Sequence, residues 1–122
     1  MKIDTSKDGL SKYFRSHEIM ILQILWEKTG VIHTSRGIWR ALNERLQGET
    51  ISRATVINFL ESVSEIGLVD KKTETCRGGK RGLYSIQRTE IEFRKLLLTM
   101  LYKDIVSDYY EYFGKFPELG FK

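Results

Sequence analysis

The chain has 122 residues, enough for one modest hydrophobic core. Hydrophobic residues make up 41% and charged residues 30%, which excludes a disordered chain and describes a folded protein with a heavily charged surface. A net charge of +4 suits a polyanionic partner without requiring one, so the placement of the charges decides.

Composition excludes several classes. The single cysteine, Cys76, forbids an internal disulfide and favours a reducing interior. His17 and His33 have no cysteine or acidic cluster at zinc-like spacing, so no metal and no cofactor are expected. No apolar run reaches membrane-spanning length, and Met1–Thr5 begins no signal-peptide core. The expectation is a soluble cytoplasmic protein without a membrane partner. No nucleophile–base pair or set of paired carboxylates stands out, so an enzyme is not expected.

Residues 1–15 form a polar leader, partly ordered around the apolar trio Leu10, Tyr13 and Phe14. Ser16 is placed to cap a helix over residues 17–28 that is apolar almost all round, through Ile19 to Leu22 and Ile24 to Trp26. Thr29-Gly30 ends it. Val31-Ile32-His33 reads as a short edge strand, with His33 solvated or singly hydrogen-bonded rather than a ligand. Thr34 caps a second helix, residues 35–46, whose inner stripe is Ile38, Ala41, Leu42 and Leu46. Arg36 and Arg40 share its outer face, where they would touch phosphates or simply meet solvent. Trp39 flanks the stripe and reads as core.

After the turn at 47–51, residues 52–66 read as a third helix with both ends marked. Ser52 caps the start and Gly67 supplies the left-handed end. Val56, Phe59, Leu60, Val63 and Ile66 form its inner face. The first half of its outer face carries Ser52, Arg53, Ala54, Thr55 and Asn58, and its acids, Glu61 and Glu65, are held back to the second half. A helix that enters the major groove by its N-terminal end needs this division, because arginine and asparagine read base edges where acids would be repelled by phosphate.

Residues 68–75 and 83–88 read as two strands joined at Cys76–Gly82, a tip with three glycines and the cations Arg77, Lys80 and Arg81 with no balancing acid. The P-loop spacing is absent there, so nucleotide binding is not expected. Cys76 reads as a passive strand-end cysteine. Thr89 and Glu92 suit a capping box for a long helix over residues 90–113. Its first part is apolar on two faces, Ile91, Leu98, Leu101 and Tyr102 on one and Phe93, Leu97 and Met100 on the other. The first face continues through Ile105, Tyr109 and Tyr112. One face then covers the domain, and the other meets a second copy. Leu97, Met100 and Tyr109 would also line any pocket for a small-molecule inducer, which is not otherwise evident.

This order is that of a winged helix-turn-helix, mainly α with a small β-hairpin wing, followed by a long dimerisation helix. The divisions are a leader 1–15, a DNA-binding domain 16–88, a dimerisation helix 89–113 and a tail 114–122. Glu18-Ile19-Met20, Ile24-Leu25-Trp26-Glu27, Ile38, Leu42, Ser52, Thr55-Val56, Leu60 and Gly67-Leu68 resemble the penicillinase-repressor family, which includes methicillin-resistance and copper-responsive repressors. The glycine-rich wing is also similar to that of multiple-antibiotic-resistance-type and phenolic-acid-repressor-type regulators. The resemblance implies a prokaryotic homodimeric repressor on a palindromic operator. Bases would be contacted by Arg53, Ala54, Thr55, Ile57 and Asn58, and phosphates by Ser52, Arg36, Arg40, Arg77, Lys80 and Arg81. The dimer interface would take Leu98, Leu101, Tyr102, Ile105, Tyr109 and Tyr112. Where that family usually has a polar or basic residue, this chain has Ile57, and it lacks the C-terminal cysteines of copper-responsive members. The competing class is a winged-helix protein-interaction module without sequence-specific DNA binding.

Overall fold

A computed structural model describes residues 2–117 of the chain. The chain divides into two compact units, Met1–Thr89 and Glu90–Lys122. The apolar run that begins at Ile19 forms helix α1, Ser16–Glu27, and buries Ile21, Leu22, Ile24 and Leu25. Ser16 is a helical residue and not the cap. Arg15 takes the cap position, and its N–H donates to Glu18 Oε1 at 2.7 Å. The glutamate reaches back from the first turn and satisfies the donor that a serine cap would have left to solvent. The leader packs through a short 3₁₀ turn, Gly9–Lys12. Leu10 and Phe14 are buried, and the Phe14 ring meets Phe59 edge-on with centroids 5.9 Å apart.

Strand β1 is only His33–Thr34. Val31 and Ile32, expected to pair, are instead exposed, because the Val31 N–H closes a turn onto the Lys28 carbonyl at 3.0 Å. The His33 side chain is half-buried, and its Nε2 is buried without a hydrogen-bond partner among the described residues. Burial, with Lys28 nearby, holds its pKa below the usual histidine value.

Helix α2, Ser35–Arg45, starts at Thr34, whose Oγ1 accepts from the Gly37 N–H at 3.1 Å. Ile38 and Leu42 are fully buried, and Ala41 and Leu46 half-buried. Helix α3, Arg53–Glu65, buries Val56, Phe59, Leu60 and Val63. Ile66 departs from the expected inner face and is 43% exposed. The helix ends one residue earlier, and Gly67 at φ 84 turns the chain so that Leu68 and Val69 fill the core instead. Each of these large aliphatic groups contributes about 1.5–3 kcal/mol by leaving water.

Strands β2, Asp70–Cys76, and β3, Gly79–Ser85, pair antiparallel from Asp70↔Ser85 to Cys76↔Gly79, and the sheet order is β1-β3-β2. The hairpin tip is therefore two residues, Arg77 and Gly78, where a seven-residue tip was expected. Gly78 at φ 93 and Gly79 at φ 136 supply the backbone that tightens it. Lys80, Arg81 and Gly82 belong to the ladder.

Three helices with this antiparallel hairpin are a winged helix-turn-helix, mainly α. Among the described residues, the second unit holds one continuous helix, α4, Glu90–Phe113. Phe93 and Leu97 are buried in it, while Ile91, Leu98, Tyr102, Ile105 and Tyr112 are exposed. Leu101 and Tyr109 are half-buried, and the Tyr109 and Phe113 rings lie 4.6 Å apart. Past the helix, Phe116 is exposed with its ring 4.9 Å from that of Tyr110. Leu119 and Phe121 of the tail lie outside the described residues. Among the described residues no helix is long and apolar enough to cross a membrane.

Candidate nucleic-acid interface

The start of α3 is built by its own side chains. The Ser52 Oγ accepts from the Thr55 N–H at 3.1 Å, and the two hydroxyls are 2.8 Å apart. Ser52 therefore takes the Thr55 N–H on its hydroxyl and the Val56 N–H on its carbonyl, which leaves the first-turn N–H groups of Arg53 and Ala54 as the open donors of the helix start. Arg53, Ala54 and Asn58 are exposed on this first half, and Thr55 and Ile57 are half-buried. No acid lies in the first turn.

The turn before α3 is held from α2. The Trp39 Nε1–H donates to the Ile51 carbonyl at 2.7 Å. The Asn43 amide donates to the same carbonyl at 3.2 Å and to the Trp39 carbonyl at 3.0 Å, and its Oδ1 accepts from the Ile51 N–H at 2.8 Å. Both polar groups of the Ile51 main chain thus bind one amide side chain, which fixes where α3 begins. Arg36 and Arg40 are exposed on α2 away from its buried Ile38–Leu42 stripe, and Arg40 lines the same surface cleft as Trp39 and Asn43. Sequence reasoning placed Trp39 simply in the core and missed Asn43. The available signal was an indole and an amide four residues apart, flanking the stripe just ahead of a turn.

The wing differs from expectation in its charges. Arg81 and Glu74 are register partners across the hairpin and form an ion pair, so the expected absence of a balancing acid is wrong. Arg77 at the tip and Lys80 are exposed and make no ion pair among the described residues; the same holds for Arg36, Arg40 and Arg53. Cys76 is a free, half-buried thiol at the strand end.

The acid on α3 that sequence reasoning set apart is also engaged. Glu61 accepts from the Tyr84 hydroxyl at 2.5 Å, and Lys71 Nζ lies 2.7 Å from its carboxylate. These partners hold Glu61 below the usual carboxylate range, the Lys71 hydrogen bond foremost. Burial and the bond to Glu61 push the Tyr84 phenol well above its ordinary value. Among the described residues no group of histidine, cysteine and acid side chains is arranged to hold a metal ion.

Helix, turn, capped helix and hairpin in this order define the winged-helix class. No protein-family model matches the chain, and no curated protein matches it. Among solved structures, the chain is similar to a possible transcriptional regulator from Methanosarcina mazei Go1, with a TM-score of 0.57 at 10% sequence identity. The similarity covers 84% of this chain and 81% of that one, and it shows a shared fold.

Proposed function

We propose that the protein is a transcriptional regulator that binds double-stranded DNA sequence-specifically, as a homodimeric repressor on a palindromic operator. The observation that carries this is the first half of α3: capped at Ser52, free of acids, and presenting Arg53, Ala54 and Asn58 to solvent. Such an end enters a major groove without repulsion. Arg53 is of the type that reads guanine, Asn58 of the type that reads adenine, and a half-buried Ile57 suits a thymine methyl. Ser52, Thr55 and the free N–H groups of the helix start serve the adjoining phosphate. Arg36, Arg40, Arg77 and Lys80 add affinity that is independent of sequence. Arg81 contributes less, because Glu74 already neutralises it.

The exposed line Leu98, Tyr102, Ile105 and Tyr112, with the half-buried Leu101 and Tyr109, supports dimerisation along α4. The regulator-like neighbour and the resemblance to penicillinase repressors agree with this function and with a prokaryotic origin. Two copies of α3 would then meet half-sites about one helical turn apart. Selection from a random duplex pool tests this. Recovery of a two-fold symmetric site with half-sites about 10 base pairs apart is expected. A pool that stays random after selection would instead favour a protein-interaction module.

A further inference from the structure

Lys71 and Tyr84 are register partners at the base of the hairpin, and cross-strand partners share one face of a sheet. Both end on the same carboxylate, that of Glu61 on α3. We propose that Glu61, Lys71 and Tyr84 form a clamp that sets the angle of the wing against α3, which makes Tyr84 and Glu61 positioning residues for DNA binding. This rests on the DNA-binding proposal above.

Geometry gives the clamp its leverage. β1 pairs with β3 only at Tyr84 and Leu83, so beyond Leu83 the hairpin is a two-stranded ribbon without lateral support. Its tip, Arg77, lies six residues beyond Lys71, roughly 20 Å along the strand. A tilt of about 10° at the base therefore moves the tip by about 3 Å, more than the tolerance of a hydrogen bond to phosphate.

The two bonds are not equal. Lys71 and Glu61 keep about a third of their side-chain surface in water, at 32% and 38%, and such pairs fix little. Tyr84 is only 2% exposed, so its ring is locked in the core and its hydroxyl reaches Glu61 from a fixed position, whereas the Lys71 side chain is free to move. Gly82 completes the arrangement. A Cβ there would stand 2.6 Å from the Tyr84 hydroxyl, so a side chain at 82 would displace the group that reaches Glu61. The third glycine of the wing thus keeps the path of a side chain open rather than shaping a turn.

Tyr84→Phe removes the hydroxyl and keeps the ring over Gly82. On the duplex that the wild type prefers, it is expected to weaken binding about tenfold. In an Arg77→Ala/Lys80→Ala background, where the wing has lost its cations, the same change is expected to cost less than about twofold. An equal loss in both backgrounds, or no loss in the first, overturns the clamp. Amide hydrogen exchange of the DNA-free protein reads the same device without DNA. Tyr84→Phe is expected to speed exchange across residues 72–83 and to leave α1 unchanged. Unchanged exchange in the hairpin overturns the clamp, and so does faster exchange throughout the first unit, which marks general destabilisation. If the wild type binds no duplex at low salt, the DNA-binding proposal fails, and the exchange experiment alone decides the clamp.

Discussion

The indole Nε1–H of Trp39 donates to the Ile51 carbonyl at 2.7 Å, tying the residue just before the cap of α3 directly to α2. Asn43 binds both polar groups of the same main chain. Replacing Asn43 with alanine leaves the half-buried Ile51 N–H without its acceptor, at an expected cost of about 1–3 kcal/mol. Urea denaturation midpoints measure it. A loss below a few tenths of a kcal/mol would mean that the turn is held by other contacts.

Asn58 and Lys80 are expected to fail differently. Asn58→Ala should cost about 1–3 kcal/mol on the selected site and relax preference at one base pair per half-site. Lys80→Ala should weaken all duplexes alike and lower the salt slope by about one unit. Arg81→Ala should change that slope less than Lys80→Ala, because Glu74 pairs with Arg81. Titrations of the three variants at several salt concentrations separate these effects. A sequence-dependent loss from Lys80→Ala would contradict the wing's assigned role.

Acid should loosen the attachment of the wing. Glu61 is held below the ordinary carboxylate range by Lys71 and Tyr84, so its contribution is present above the carboxylate's unfolded pKa. That contribution is lost as pH falls through the lower folded value. Glu61→Gln should therefore lower the thermal midpoint at neutral pH and differ less from wild type near about pH 3. A difference that stays constant over this range would mean that the charge of Glu61 is not what matters.

The exposed apolar line on α4 yields a prediction about assembly. Leu98→Ser with Ile105→Ser should shift the protein to monomer in sedimentation velocity. The monomer itself should stay folded, since both residues are exposed in the single chain. An unchanged dimer would place the interface elsewhere.

The helices were legible because each carries its own signals. Thr34, Ser52 and Gly67 mark ends, and Ile38, Leu42, Val56 and Leu60 recur at helical spacing. The wing was legible as a glycine-rich basic hairpin but not in its register, because Gly79 and Gly82 look alike in sequence. One supplies a left-handed backbone, whereas the other makes room for the Tyr84 ring. Ile66 misled because its spacing continues past the point where the helix stops. Every side-chain bond made on Glu61 or Ile51 joins different elements, and periodicity along one chain carries no signal for such partners.

The central claim is sequence-specific DNA binding through the start of α3. Fluorescence anisotropy on duplex from upstream of the protein's own gene, against a shuffled duplex and across salt, tests it most directly. Tight binding to the native duplex, weaker binding to the shuffled one and a steep salt slope are the expected result, with the slope counting phosphate contacts. Failure to bind either duplex even at low salt would contradict the account, and the exposed face of α4 would then be the place to look for a protein partner.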